Sequence, residues 1–297
     1  MRVSMDIAKI SVRRLEDYGS IQACVEKGFD SLSNVKLDSG SSVVIKPNLC
    51  AIKSPETGTT TDVRVIEAIV DCLKSTFGVN DISIIESDGT LVLADLAFRL
   101  LGYEKLSTQR NVQLVNLSKA PFSTKEFPNN RVLKRVKVPK IIEEADLFIS
   151  VPKIKTHSDC FMSCALKNQY GCNPYWHKSI YHKHLHESIV DLNLVFRPDF
   201  TVVDGIIAME GCKGPTDGIP VKMNTLLFGR DPVAIDHLVA RIMGINPGRV
   251  DYIRSAENRG IGTTHYVVEG ATIQSLNRKF KNQPPRLRNL YGLFSLE

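Results

Sequence analysis

No two cysteines in this chain are separated by just two residues, and that absence removes most sequence signatures of a metal centre. Structural zinc sites are usually built on such pairs, and so are the cysteine runs of bacterial ferredoxins. Seven cysteines, an odd number in a long chain, also argue against a disulfide framework and for free thiols in a reducing compartment. No run approaches the roughly 20 apolar residues that a membrane helix needs. The opening MRVSMDIAKISVRRLEDYGS carries charge every few positions and shows no apolar signal core. A cytoplasmic location without membrane contact is therefore expected. The phosphate-binding pattern G-x4-G-K-[ST] is missing. The one G-x-G, Gly260-Ile261-Gly262, lacks the third glycine of a dinucleotide fingerprint, so no P-loop or standard dinucleotide site is expected. Aromatic residues make up 7% with a single Trp, which leaves little for base stacking and counts against nucleic acid as a partner.

What is present fits a globular α/β chain. Its 297 residues are 43% hydrophobic and 24% charged, enough for one large domain with a substantial core. A net charge of +6 favours anionic ligands without selecting among them. Strand-like and helix-like segments alternate. SVVIK (42–46), DISIIES (81–87), VQLVNL (112–117), LFISV (147–151), FTVVD (200–204) and NTLLF (224–228) read as strands. Helical periodicity covers 61–77 with Gly78 as a stop, then 92–102 and 188–196. Asp231-Pro232 opens a further helix, with Gly244 beyond its end. This order predicts a mostly parallel sheet with helices on both faces. Residues 118–140 and 172–187 are expected to be irregular insertions, and 277–297 a basic tail.

Open parallel sheets bind ligands outside the carboxyl ends of their strands. Five predicted strands end in polar groups: Lys46-Pro47-Asn48, Glu86-Ser87-Asp88, Lys153 to His157, Asp204-Gly205 and Arg230-Asp231. Lys153 and Lys155 are two apart, so an extended chain projects both to one side. Lys167 and Asn168 are expected on a helix from Cys164 to Tyr170. Lysines so placed suit a carboxylate or phosphate, and desolvation could lower one pKa enough for proton transfer. The alternative is that they neutralise Asp146, Glu86 or Asp204. His157 could act as a general acid or base.

Cys160, Cys164 and Cys172 could ligate an iron–sulfur cluster, although their spacing matches no ferredoxin run. In YHKHLHES (181–188), His182 and His186 share a face if the segment is helical; if extended, His184 joins them on one side. Either way the histidines could contact an anion, and a metal with Glu187 is the lesser reading. The glycine-rich stretch 209–220 could form a phosphate nest. Asp204 and Glu210, six residues apart around an expected turn, could hold Mg²⁺ against a phosphate.

Several blocks together, VVIKPNLC (43–50), ADLFISVPKIKTHSD (145–159), ALKNQYGCNP (165–174), 191–215 and GRDPVAIDHLVARIMGINP (229–247), resemble the family catalogued as domain of unknown function 362. The resemblance implies an α/β fold. Longer relatives append a two-cluster ferredoxin module, which hints at redox chemistry and a ferredoxin-like partner; no such module occurs in this sequence. It carries over Lys46, Asn48, Lys153, Lys155, His157, Lys167, Asn168, Asp204 and Glu210 as site residues. The expectation is an enzyme acting on a small anionic metabolite, and the resemblance favours an oxidoreductase. Lys46, Lys153 and Lys167 would bind it, Asn48, Asn168, His182 and His184 would assist, and His157, Lys155 and Asp204 would handle the proton. An iron–sulfur redox component and a nucleic-acid-binding module are the alternatives.

Overall fold

The structure is a computed structural model that describes residues 7–32, 35–90, 92–212 and 216–281. Among the described residues, twelve strands and ten α-helices follow one another in the order β1 (Ala8–Arg14), α1 (Ile21–Phe29), β2 (Ser42–Pro47), α2 (Val63–Phe77), β3 (Asp81–Glu86), α3 (Ala94–Leu100), α4 (Tyr103–Arg110), β4 (Gln113–Asn116), β5 (Phe122–Glu126), β6 (Arg135–Pro139), α5 (Lys140–Glu143) and β7 (Leu147–Val151). There follow β8 (Lys153–His157), β9 (Phe161–Ser163), α6 (Ala165–Asn168), α7 (Leu185–Val195), β10 (Phe200–Glu210), β11 (Ile219–Gly229), α8 (Pro232–Ile242), α9 (Asp251–Asn258), β12 (Tyr266–Gly270) and α10 (Ile273–Leu276).

The main sheet runs β12-β1-β11-β10-β7-β2-β3-β4, with β8 added beside β10 and β9 beside β8. From β10 to β4 every pairing is parallel. β11 is antiparallel to both of its neighbours, so along this path it alone opposes the common direction. The side chains alternate as a pleat requires. Val43, Ile45, Leu147 and Ile149 face a core closed by α1, α2 and Tyr103 of α4. Val44, Ile85 and Phe148 face α7 and the β5–β6 hairpin on the other side, where Ile154, Val203 and Leu227 meet α6, α8 and α9. The mostly parallel sheet with helices on both faces is thus what the sequence pattern predicts.

Local signals explain the better-placed elements. Asp62 caps α2 by accepting from Arg64 N, and Gly78 ends it at φ 70°. Asp231 caps α8 through Val233 N and Ala234 N, with Pro232 in the first turn. The helix expected over 92–102 is shorter, because Gly102 at φ 87° breaks the run before α4. Residues 118–140, expected to be irregular, hold the antiparallel β5–β6 hairpin. Val136 and Val138 supply its inward alternation, a signal too short to stand out.

Three expectations about strand ends change. FTVVD continues as one strand to Glu210, so Asp204 lies inside β10 and no turn separates it from Glu210. NTLLF begins earlier, at Ile219, and runs backwards. Arg230 and Asp231 therefore fall at the opposite edge, beside the start of β1. A sequence pattern reveals a strand but not its direction, and antiparallel insertion of β11 reverses its end. Residues 213–215 of the expected phosphate nest and 282–297 of the expected tail lie outside the described residues.

Candidate functional site

At the carboxyl edge, two of the predicted lysines end on carboxylates. Lys46 Nζ donates to Glu86 Oε2 at 2.9 Å and to Pro47 O at 2.7 Å, with both side chains buried. Glu86 also accepts from Leu49 N and Ser87 N. Lys153 Nζ donates to Asp204 Oδ2 at 2.8 Å, and this pair has no exposed side-chain surface. Asp62 N and Ile206 N occupy the rest of Asp204. These are closed units: each charge is neutralised and each carboxylate is further hydrogen-bonded, which is what makes buried ions tolerable. Gly171 lies against the first pair, where a Cβ would come within 2.4 Å of Glu86 Oε1 and Lys46 Cε.

Lys155 is held by neutral oxygens. Its Nζ donates to Asn48 Oδ1 at 2.9 Å and Thr59 O at 3.1 Å, and lies 3.2 Å from Cys50 Sγ. Asn48 Nδ2 donates in turn to Asn168 Oδ1, and Asn168 Nδ2 donates to Ser150 Oγ and Lys46 O. Asn168 thus orients Asn48, whose Oδ1 accepts from Lys155.

His157 and Lys167 have a different environment. His157 is 4% exposed. Its Nδ1 accepts from Asp159 N at 3.1 Å, so in the neutral ring the proton sits on Nε2, which has no partner among the described residues. Burial, reinforced by the charges of Lys167, His182 and Lys155, pulls the His157 pKa well below the ordinary histidine value. Lys167 forms no hydrogen bond or ion pair among the described residues; its Nζ lies 5.4 Å from the centre of the Tyr170 ring. Part of its side chain meets solvent. Dense surroundings nevertheless lower its pKa, since desolvation penalises the ammonium and Lys155 adds repulsion. His182 meets Tyr170 edge-on at 6.2 Å and has its Nδ1 3.9 Å from Asp159 Oδ2.

The helical alternative for YHKHLHES explains this grouping. A 3-10 turn over Lys178–His184 leads into α7, so exposed His182 and buried His186 both act on His157, and His184 is exposed as well. The metal readings fare differently. Glu210 accepts from Lys281 N and Asp204 is bound to Lys153, so the two carboxylates form no common cation site. Cys160 and Cys164 pack in one apolar cluster and Cys172 in another. Burial pushes the Cys160 and Cys172 thiols up to about 12 and Cys164 well above its usual value. Among the described residues Cys160, Cys164 and Cys172 are not gathered into one ligand set, as an iron–sulfur cluster requires. Among the described residues no group of three or more His, Cys, Asp or Glu is arranged to hold a metal ion.

Several contributors carry no obvious sequence signal. The buried run Thr59-Thr60-Thr61-Asp62 supplies Thr59 O to Lys155, Asp62 N to Asp204 and Thr61 Oγ1 to Val151 O. Asp236, on an inward-facing position of α8, accepts from Ala165 N and Leu166 N and so fixes the start of the helix that carries Lys167. Its pKa rises to about 7, chiefly through burial. Lys178, in the expected insertion, donates to Asp88 O and Ser87 Oγ, and burial lowers its pKa to about 8. An acidic residue in the middle of an apolar helix face, as at Asp236, is the one signal here that could have been read.

The chain matches the family described as "Domain of unknown function (DUF362)" over residues 43–241, well over half its length, and belongs to that family. The matched span includes Lys46, Asn48, Lys153, Lys155, His157, Lys167 and Asn168. It is also 24% identical over 269 residues to the thylakoid-associated protein sll1697 of Synechocystis sp., covering 87% of this chain and 81% of that protein. Among solved structures it is similar to the lactate racemase apoprotein from Thermoanaerobacterium thermosaccharolyticum, with a TM-score of 0.44 and 13% identity. That likeness covers 82% of this chain, which spans 58% of the racemase chain. No helix among the described residues is long and apolar enough to cross a membrane.

Proposed function

We propose that this protein is an enzyme that binds a small anionic metabolite, carboxylate- or phosphate-bearing, between His157 and Lys167 at the carboxyl edge of the sheet. The carrying observation is the pair of donors left without acceptors: the buried His157 Nε2–H and the Lys167 ammonium. A buried donor without an acceptor costs about 1–3 kcal/mol, and an anionic oxygen placed between the two groups would recover that cost. Lys155, positioned by Asn48 and Asn168, supplies further positive charge behind them.

The chemistry open to this site is proton transfer. His157 is neutral at working pH because burial disfavours its cation, so it serves as an N–H donor to substrate oxygen. Lys167, with its pKa lowered, is the group able to give up and regain a proton. Lys46, Lys153 and Asp204 act as a rigid support, since their charges are already matched. This reading is favoured over an iron–sulfur role because Cys160, Cys164 and Cys172 form no common ligand set among the described residues.

Isothermal titration with inorganic phosphate, acetate and lactate tests the proposal. At least one should bind the wild type, and Lys167→Met and His157→Gln should each weaken it by about tenfold or more, since each removes a charge-assisted or buried donor. Affinity should fall as pH rises through the lowered pKa of Lys167, below the usual 10.5. Binding that is indifferent to both substitutions would refute it.

A further inference from the structure

A cleft of about 540 Å³ lies away from this site, lined by the start of β1, the end of α1 and the turn after β11. Its floor is one face of β1. Lys9, Ser11 and Arg13 alternate with Ile10 and Val12, and all three line the cleft while the other two enter the core. α1 contributes Lys27, and the end of β11 contributes Arg230.

Two polar groups on this floor have no partner among the described residues. Ser11 is 8% exposed, and its buried Oγ makes no hydrogen bond. Arg13 Nε is likewise buried and unpaired. Native proteins rarely leave such groups unsatisfied. The four cations lining the cleft make no ion pair among the described residues, where the pairs formed are elsewhere. One acidic lining residue is already committed: Asp231 accepts from Val233 N, Ala234 N and Thr263 N. Asp30 and Glu269 remain at the walls, and Glu269 pairs in register with Ser11 across β1 and β12.

We infer that this cleft is a second binding site, for a small phosphate ester that carries hydroxyl groups. Arg13, Lys9 and the Ser11 hydroxyl present donors of the kind that hold a phosphate, the guanidinium in a fork that matches its oxygens. Glu269 and Asp30 are acceptors for hydroxyls. The volume falls in the range of small-molecule pockets, about 300–1,000 Å³. The site is separate from the His157–Lys167 pair, because β1 begins level with the amino end of β10 whereas His157 ends β8 beyond Asp204.

The test is titration of the full chain with ribose 5-phosphate, inorganic phosphate and ribose, followed by calorimetry and by backbone NMR shifts. Ribose 5-phosphate should bind about tenfold tighter than inorganic phosphate, ribose should not bind, and the shifts should centre on β1. Arg13→Leu and Ser11→Ala should each weaken binding while Lys167→Met leaves it unchanged. Lys9→Gln serves the same purpose if Arg13→Leu folds poorly. Absence of binding, equal affinity for phosphate alone, or sensitivity to Lys167→Met but not to the β1 variants would each overturn the inference. The last outcome would at the same time support anion binding at His157 and Lys167, so the two proposals fail separately.

Discussion

Lys46 and Lys153 share the carboxyl edge with Lys167 and His157, yet their surroundings are opposite in kind. The first two end on Glu86 and Asp204 inside closed hydrogen-bonded units. The other two present donors with no acceptor among the described residues. Cationic residues clustered in sequence thus divide into one set whose energy is spent on holding the edge together and another kept open. The first set restrains the strands; the second is where we propose that an incoming oxygen binds.

The sharpest way to break this contrast is to remove one member of a closed unit. Lys153→Met and Lys46→Met should each cost about 3–5 kcal/mol in urea unfolding, because an uncompensated buried carboxylate remains. Lys167→Met should change stability by less than about 0.5 kcal/mol, since no partner loses its bond. Equal losses at Lys153 and Lys167 would erase the distinction.

A smaller effect is expected at Gly171. Gly171→Ala places a methyl against Glu86 and Lys46 and should lower stability by about 1–3 kcal/mol, as overpacking does. Anion affinity at His157 should be disturbed less than stability. A neutral outcome in thermal melting would mean that the ion pair has room to shift.

The smallest effect concerns pH. The folded-state pKa of His157 is depressed, so below about 6.5 the unfolded chain takes up a proton that the folded one refuses. The contribution of His157 to stability is complete above that pH and falls as pH drops toward the folded pKa, by up to about 1.4 kcal/mol per pH unit. Asp236 works in the opposite sense: its raised pKa favours folding at low pH, and that contribution is lost as pH rises toward about 7. The His157 part is therefore read as the difference between wild type and His157→Gln across pH 5–7. A constant difference would show that the imidazole titrates normally.

Much of this architecture was legible beforehand. The apolar runs at 42–46, 81–87 and 147–151 read as strands, and they form β2, β3 and β7. The Gly78 and Asp231-Pro232 signals mark helix ends that the structure places within a few residues. Lys155, His157, Lys167, Asn48 and Asn168, part of a larger set of candidates in the sequence, lie near one another in the fold. The Arg230-Asp231 end went to the wrong edge because β11 is reversed. Asp204 and Glu210 looked like neighbours across a turn because nothing local distinguishes a strand end from a strand that continues.

By itself the sequence determined the periodicities, and with them the sheet, its buried strands and the stretch 153–168 where the cations accumulate. Those follow from interactions between residues a few positions apart. Which lysine meets a carboxylate was decided only by the tertiary structure. The partners of Lys46 and Lys153 lie 40 and 51 residues away, and short-range pattern carries no information about pairings made across strands.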